Sequence, residues 1–517
     1  MGALGAVTLL TFFFFRATPT GFIPDEDNGF AMITVTLPPG ASLERTNEVL
    51  KGADALLQGE ESVERVISVS GVNIISGANS PSAGIMFVQL RDIADRGAVK
   101  NIQAITGIMN RKLGMLSDAS FYVLTLPTVP GFGNVSGVEF VLQDRTAGSL
   151  QKFGDIAGGF IGALMQRPEF AFAFTPFNTG YPQYELVVDP GRAEQLGVST
   201  ADVMTVMQGL YGGMQASDFN RFGRYYRVIM QSEAADRSDP ASLQGVSVKN
   251  RSGSMVPLTS VASLKRVYGP ETVDHFNLFN AIGITANVNP GYSTGQAIDA
   301  IEEVAARTLP AGYSYDWKGM SREETGSGGK AAAIFVLCLV FVYFLLAAQY
   351  ESYILPLAVM LSIPTGLLGV FMGIRLAGID NNIYVQVAIV MLIGLLAKNA
   401  ILIVEYSIQR RRAGKDLVMS ALEGSRARLR PILMTSFAFV VGLLPLLWAS
   451  GPSALGNHSI GWAAVGGMLS GVLLGIFIIP VLFVIFQAFQ ERLTGPAHPI
   501  EVVHAPVLDD TDDAPDY

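Results

Sequence analysis

The chain has 517 residues, of which 50% are hydrophobic and 15% charged, and a formal net charge of −9. That is too apolar for an ordinary soluble chain, and without a basic stripe it argues against a nucleic-acid binder. A single cysteine, Cys338, excludes a disulfide framework; four scattered histidines (His275, His458, His498, His504) with no nucleophile, metal or phosphate-loop pattern argue against an enzyme.

In chain order, the first element is a short apolar run, Ala3–Phe15, ending at Arg16. Its length suits a signal-peptide core, but no basic segment precedes it and no small-residue cleavage site follows. Residues 1–20 are therefore read as the truncated end of a membrane span. Residues 21–131 then alternate strand and helix patterns. "FAMITVTLPPG" is a strand, "ASLERTNEVLKGADALLQG" a helix capped by Ser42, and "VERVISVSG" and "GIMFVQLRD" are strands. "NIQAITGIMNRKLGM" is a second helix and "FYVLTLP" the last strand. The order βαββαβ is that of a split-βαβ, ferredoxin-like sandwich.

A second such unit occupies residues 132–180 and resumes at 268–320, with "GVEFVLQD", the helix "SLQKFGDIAGGFIGALMQRP" and "FAFTPFN" in its first half. Residues 181–267, including the strand "RYYRVIM", form an insert. The soluble block is thus α+β, with three subdomains, the third inserted into the second.

Residues 329–488 carry the apolar runs Ala331–Ala348, Ile354–Ile374, Ile383–Val404, Ile432–Trp448 and Gly461–Phe486. Each is near the ~20 residues that cross a ~30 Å hydrocarbon core. With the opening run they make a bundle of six transmembrane helices. The loop "QRRRAGKDLVMSALEGSRARLRP" holds seven Lys/Arg against Asp416 and Glu423, so it is cytoplasmic and Gly21–Lys330 lies outside. The tail, 489–517, reads as an acidic disordered segment: six carboxylates from Glu501 onward, with no Lys or Arg.

Within "GLLAKNAILIVEYS", Lys398 sits deep in an apolar helix, where an ammonium costs about 2.5–3.5 kcal/mol on insertion scales. A bland reading is a snorkelling lysine; the functional one is a cation facing a bundle interior and pairing with a proton-accepting carboxylate. No suitable carboxylate occurs in the spans of this chain. Arg428 and Thr435 in the next helix are seven apart and share a face, extending a polar seam, although an interfacial arginine and a helix-bonded threonine are also commonplace.

"FIPDEDNGFAMITVTLPPGAS", "GMSREE", "AAQYESYILPLAVMLSIPTGLLG", "GLLAKNAILIVEYS" and "RLRPILMTSFAFVVGLLPL" resemble, in order, the carboxy-terminal half of the resistance–nodulation–division efflux permeases, in their hydrophobe/amphiphile (multidrug) branch. The resemblance runs from about Leu4 to Glu491. It implies a homotrimeric proton/drug antiporter of a Gram-negative inner membrane, working with a periplasmic adaptor and an outer-membrane channel on small hydrophobic or amphiphilic substrates. The proton gradient drives it, with no cofactor or metal. Lys398, Arg428 and Thr435 match the family's proton-relay positions; the paired aspartates that serve them belong to an amino-terminal half absent here. The subdomains match two porter units with an inserted docking unit. Phe87, Ile67, Val72 and Ile74 match substrate-pocket positions, and the loop Gly71–Gly84 (with Gly71, Asn73, Ser76 and Gly77) matches the switch loop. That loop is less aromatic than in relatives, which bears on substrate range because planar compounds gain from stacking. The chain is then a gene fragment or a split subunit. The alternatives are a heavy-metal permease of the same superfamily, although Met86, Met109 and Met115 fit core packing, and a non-transporting remnant or scaffold.

Overall fold

The computed structural model describes residues 2–133 and 135–495; the acidic segment from Glu501 lies outside them. Ser149–Gly154 with Phe177–Thr272 form one compact unit, and the remaining described residues form another.

The larger unit opens with helix α1 (Gly2–Ala17) and a four-stranded antiparallel sheet. Its elements are β1 (Phe30–Thr36), α2 (Leu43–Gln58), β2 (Val63–Asn73), β3 (Ala78–Leu90), α3 (Ile102–Leu113) and β4 (Ser120–Thr125). The order across the sheet is β2-β3-β1-β4. The Ser42 hydroxyl accepts from the Arg45 amide (3.3 Å), the cap expected for α2. Strand alternation sorts the side chains. Ile33, Val35, Met86, Val88 and Val123 meet Leu50, Leu57, Ile105, Met109 and Leu113 of the two helices. Met32, Ile85 and Leu124 point to the opposite face.

The next sheet begins with β5 (Val138–Asp144), α4 (Leu150–Leu164) and β6 (Phe170–Phe174). The chain then builds the smaller unit: β7 (Tyr181–Val188), α5 (Pro190–Gln195), α6 (Thr200–Met207), the hairpin β8 (Met214–Arg221) with β9 (Arg224–Met230), β10 (Ser247–Lys249), β11 (Met255–Pro257) and β12 (Ala262–Gly269). There β7 pairs antiparallel with β12, over a core that includes Val198, Val203, Leu243, Val248 and Leu258. The hairpin β8–β9 is exposed, with Phe222 at its tip. Back in the larger unit, β13 (Asp274–Phe276), β14 (Phe279–Val288), α7 (Thr294–Thr308) and β15 (Tyr313–Trp317) complete the sheet. β14 lies between β5 and β6, and β15 lies on the other side of β5.

The membrane-type helices follow: α8 (Gly319–Tyr350), α9 (Leu355–Met360), α10 (Ile363–Leu376), α11 (Ile383–Arg412), α12 (Leu417–Leu447) and α13 (Ala454–Thr494). Among the described residues five stretches are long and apolar enough to cross a membrane, α9 and α10 counting together; the apolar part of α1, Leu4–Ala17, is shorter. The helices depart from the sequence expectation in three places. α8 starts at Gly319, ahead of the apolar run. α13 continues to Thr494, so Phe489–Leu493 are helical. The basic segment expected as a loop is mostly helix: only Ala413–Asp416 separate α11 from α12, where Asp416 caps the Val418 amide (3.2 Å). Hydropathy hides this first part of α12, because its Arg, Glu, Leu, Met and Ala are good helix formers but not all apolar.

α10 and α13 approach through glycines. A Cβ on Gly369 would lie 2.2 Å from the Gly466 carbonyl oxygen, and one on Gly466 2.5 Å from that of Gly369. Such small-residue contacts let membrane helices gain dispersion energy where no hydrophobic effect drives them together.

The strap after α1 ties helices to sheet. The buried Glu26 carboxylate accepts from the Leu455 (3.2 Å) and Gly456 (2.7 Å) amides in the first turn of α13, where the helix dipole favours an anion. Next to it, Asp27 forms a two-pronged ion pair with the buried Arg96, one prong at 3.0 Å.

Candidate functional site

In α11 an exposed stripe, Val387, Met391, Gly394 and Lys398, runs at helical spacing. Lys398 thus lies on the outer face of this chain's own helices, not in their interior. Among the described residues it has no hydrogen bond or ion pair, and none joins it to Arg428 or Thr435. The interior position belongs to its neighbour: Asn399 is buried, and its amide donates to the Ser436 hydroxyl of α12 (3.3 Å). Thr435 is exposed and its hydroxyl donates to the Ile432 carbonyl (3.2 Å), an ordinary intrahelical bond.

Arg428 is brought to Tyr406 of α11, with its guanidinium 5.0 Å from the ring centroid. The guanidinium of Arg410 lies 4.9 Å from the same ring and donates to the Tyr406 hydroxyl. The Arg428 Nε is buried with no hydrogen-bond partner among the described residues. Ring quadrupoles attract cations, so one tyrosine orients two like charges.

The pocket positions divide. Phe87 faces Ile67 across β3–β2 and Met32 across β3–β1, so all three share one face of the sheet. Phe87 and Ile74 pack on the cluster of Met32, Ile85, Leu124 and Phe174; Ile67 stays 55% exposed beside it, and Val72 is half-buried outside it. Sequence reasoning missed three aromatic rings here. Tyr122 of β4 stacks on Phe174 of β6 (centroids 4.4 Å apart), and Phe172 lies 5.8 Å from Tyr122. The alternating "FAFAF" of β6 was the available signal.

The segment Gly71–Gly84, expected as a loop, is mostly strand. Only Ile74–Gly77 turn: the Asn73 side-chain oxygen accepts from the Ile75 (3.1 Å) and Ser76 (3.3 Å) amides, and the Ser76 hydroxyl accepts from the Ala78 amide (3.4 Å). Gly71 (φ +87°) sits in the register shift between Ser70 and Val72, and Gly77 (φ +69°) closes the turn; both lie in the left-handed region that favours glycine.

Glu324, near the start of α8, also went unassigned in the sequence. It accepts from the Thr294 hydroxyl (2.7 Å). Burial pushes its carboxyl up to about 7 and the charges of Asp25 and Asp380 add to this, while the Thr294 bond opposes them. Burial also raises Asp380.

The profile of the AcrB/AcrD/AcrF family matches residues 1–487. The chain is 36% identical to the multidrug/solvent efflux pump membrane transporter MepB of Pseudomonas putida over 472 residues, 91% of this chain and 45% of that protein. It is 34% identical to the multidrug export protein AcrF of Escherichia coli (strain K12) over 478 residues (92% and 46%). To the multidrug resistance protein MdtF of the same strain it is 32% identical over 485 residues (92% and 46%). It spans about half the length of the curated relatives it matches. The chain therefore belongs to the AcrB/AcrD/AcrF family of resistance–nodulation–division multidrug efflux permeases.

Proposed function

We propose that this chain forms the carboxy-terminal half of an inner-membrane permease that exports hydrophobic and amphiphilic compounds in exchange for protons. In this reading it works as a trimer with a periplasmic adaptor and an outer-membrane channel. α1 is the sixth span. The sheet order, second-third-first-fourth in the first sheet and, with the short β13 set aside, in the five-stranded second one, supports two split-βαβ porter subdomains (21–131, and 132–180 with 268–320), with 181–267 as docking insert. The face bearing Phe87, Ile67 and Ile74, with Tyr122, Phe172 and Phe174, supplies the apolar and aromatic contacts for substrate; Val72 and the turn with Gly71, Asn73, Ser76 and Gly77 border it.

One observation carries the reading. Lys398 is a cation midway along an apolar helix, on the outward face, without a counter-ion among the described residues. A charge so placed is retained where another segment presents a carboxylate. That segment is the aspartate-bearing half, and proton uptake by its carboxylates releases Lys398 and shifts the helices. Arg428 and Thr435 lie on the proton's route. The test is efflux of a fluorescent cationic dye from vesicles holding the complete permease under an imposed pH gradient. Lys398→Met abolishes proton-driven efflux while assembly persists, and Lys398→Arg fails nearly as far, because a planar guanidinium does not replace a compact ammonium. Wild-type efflux by the Met variant would reduce Lys398 to a snorkelling residue and overturn the relay.

A further inference from the structure

The middle of α12 carries a second face that the transport reading does not use. Arg426, Leu429, Arg430, Leu433, Met434 and Phe437 line a shallow groove of about 480 Å³. Their spacing, i, i+3, i+4, i+7, i+8 and i+11, makes one stripe along the helix. Arg428 and its Tyr406 contact lie on the opposite side, since successive residues step by about 100°. Leu429, Met434 and Phe437 are 38%, 64% and 54% exposed, so other helices of this chain do not cover the stripe.

The charges differ from their neighbours. Around the α11–α12 connection Arg410 and Lys415 pair with Glu423, and Arg411 pairs with Glu491. Arg426 and Arg430 have no ion pair among the described residues. They stand one turn apart at the basic end of the stripe, and Phe437 lies about 10 Å deeper along the helix axis than Arg430. Two guanidiniums one turn apart offer several donors to phosphate oxygens. An apolar strip running from them into the membrane suits an acyl chain.

We infer that this stripe is a binding site for an anionic phospholipid, with the phosphate on Arg426 and Arg430 and one acyl chain along Leu429, Leu433, Met434 and Phe437. The inference rests on α12 crossing the membrane. It does not need the relay, because lipid binding is measured without transport. A partner helix would need an apolar face and two acids in matching register; a phospholipid brings both features by its chemistry.

The test uses the full chain in detergent, stripped of lipid and offered equal phosphatidylglycerol and phosphatidylcholine, with bound lipid counted by native mass spectrometry. About tenfold preference for phosphatidylglycerol is expected, falling to parity in Arg426→Gln/Arg430→Gln and largely kept in Arg426→Lys/Arg430→Lys, which guards against a folding defect. Millimolar glycerol phosphate leaves the bound lipid in place. A photo-cross-linker replacing Phe437 in native membranes captures acyl chains. The site is overturned by any of three outcomes: an unchanged preference in the Gln pair, displacement by glycerol phosphate (a free-phosphate site), or cross-linking to polypeptide in place of lipid.

Discussion

Two faces of the helical region stand in contrast. Where α10 meets α13, glycines bring backbones together and the chain completes its own packing. Along the outer stripe of α11 it does the opposite, presenting Val387, Met391 and Gly394 and a lysine that nothing described here neutralises. One face is closed within this chain; the other is open, and on the reading proposed above a further segment covers it. The difference teaches that burial within a single chain separates the residues that hold its helices together from those left available to other contacts.

The sharpest way to break the contrast is at the glycines. Gly369→Leu forces its side chain into the Gly466 carbonyl and the Ser470 side chain. Overpacking of this kind lowers stability by about 3 kcal/mol or more, read as loss of the folded chain in detergent unfolding assays.

The outer face gives the next effect, with a sign that depends on context. Lys398→Met in the isolated chain in bilayers removes an unpaired charge and raises stability by about 2 kcal/mol, within the insertion cost of a lysine. If Lys398 pairs with carboxylates of another segment, as proposed, the same change in the complete permease leaves those carboxylates uncompensated and lowers stability. Equal effects in the two settings would erase the distinction between the faces.

A smaller, pH-dependent effect belongs to Glu324. Its folded carboxyl titrates at about 7, against 4.5 for the ordinary group. The folded state therefore binds its proton more tightly than the unfolded one, and stability falls as pH rises from about 4.5 to 7. Glu324→Gln removes this slope, so the variant gains about 1 kcal/mol over the parent at pH 8, after discounting for solvent, and nothing at pH 4. Melting curves across that range decide it. The smallest change is Asn399→Leu, which breaks the hydrogen bond to Ser436 at about 0.6 kcal/mol, the mean for such bonds within membranes.

Most strands of the two larger sheets were readable from the sequence, though not β13, because strands with one packed face alternate and helix caps announce themselves, as Ser42 does. The apolar helices were readable from length alone. Their facing was not. α11 is apolar nearly all round, so no amphipathic period says that Asn399 turns inward while Lys398, one residue and about 100° away, turns out. The aromatic rings of β4 and β6 beside Phe87 depend on contacts between strands far apart in the chain, which no local pattern encodes. Glu324 escaped for a related reason: Thr294, Asp25 and Asp380 reach it only through the fold.

The strap at Glu26 and Asp27 has a mechanical consequence. One carboxylate grips the first turn of α13 and the next grips Arg96, beyond the end of β3. Consecutive Cα atoms are 3.8 Å apart across a planar peptide, so almost no slack separates the two grips. A piston stroke of α13 along its axis cannot be lost in a loop there; it is handed, one residue later, to the sheet that carries Phe87.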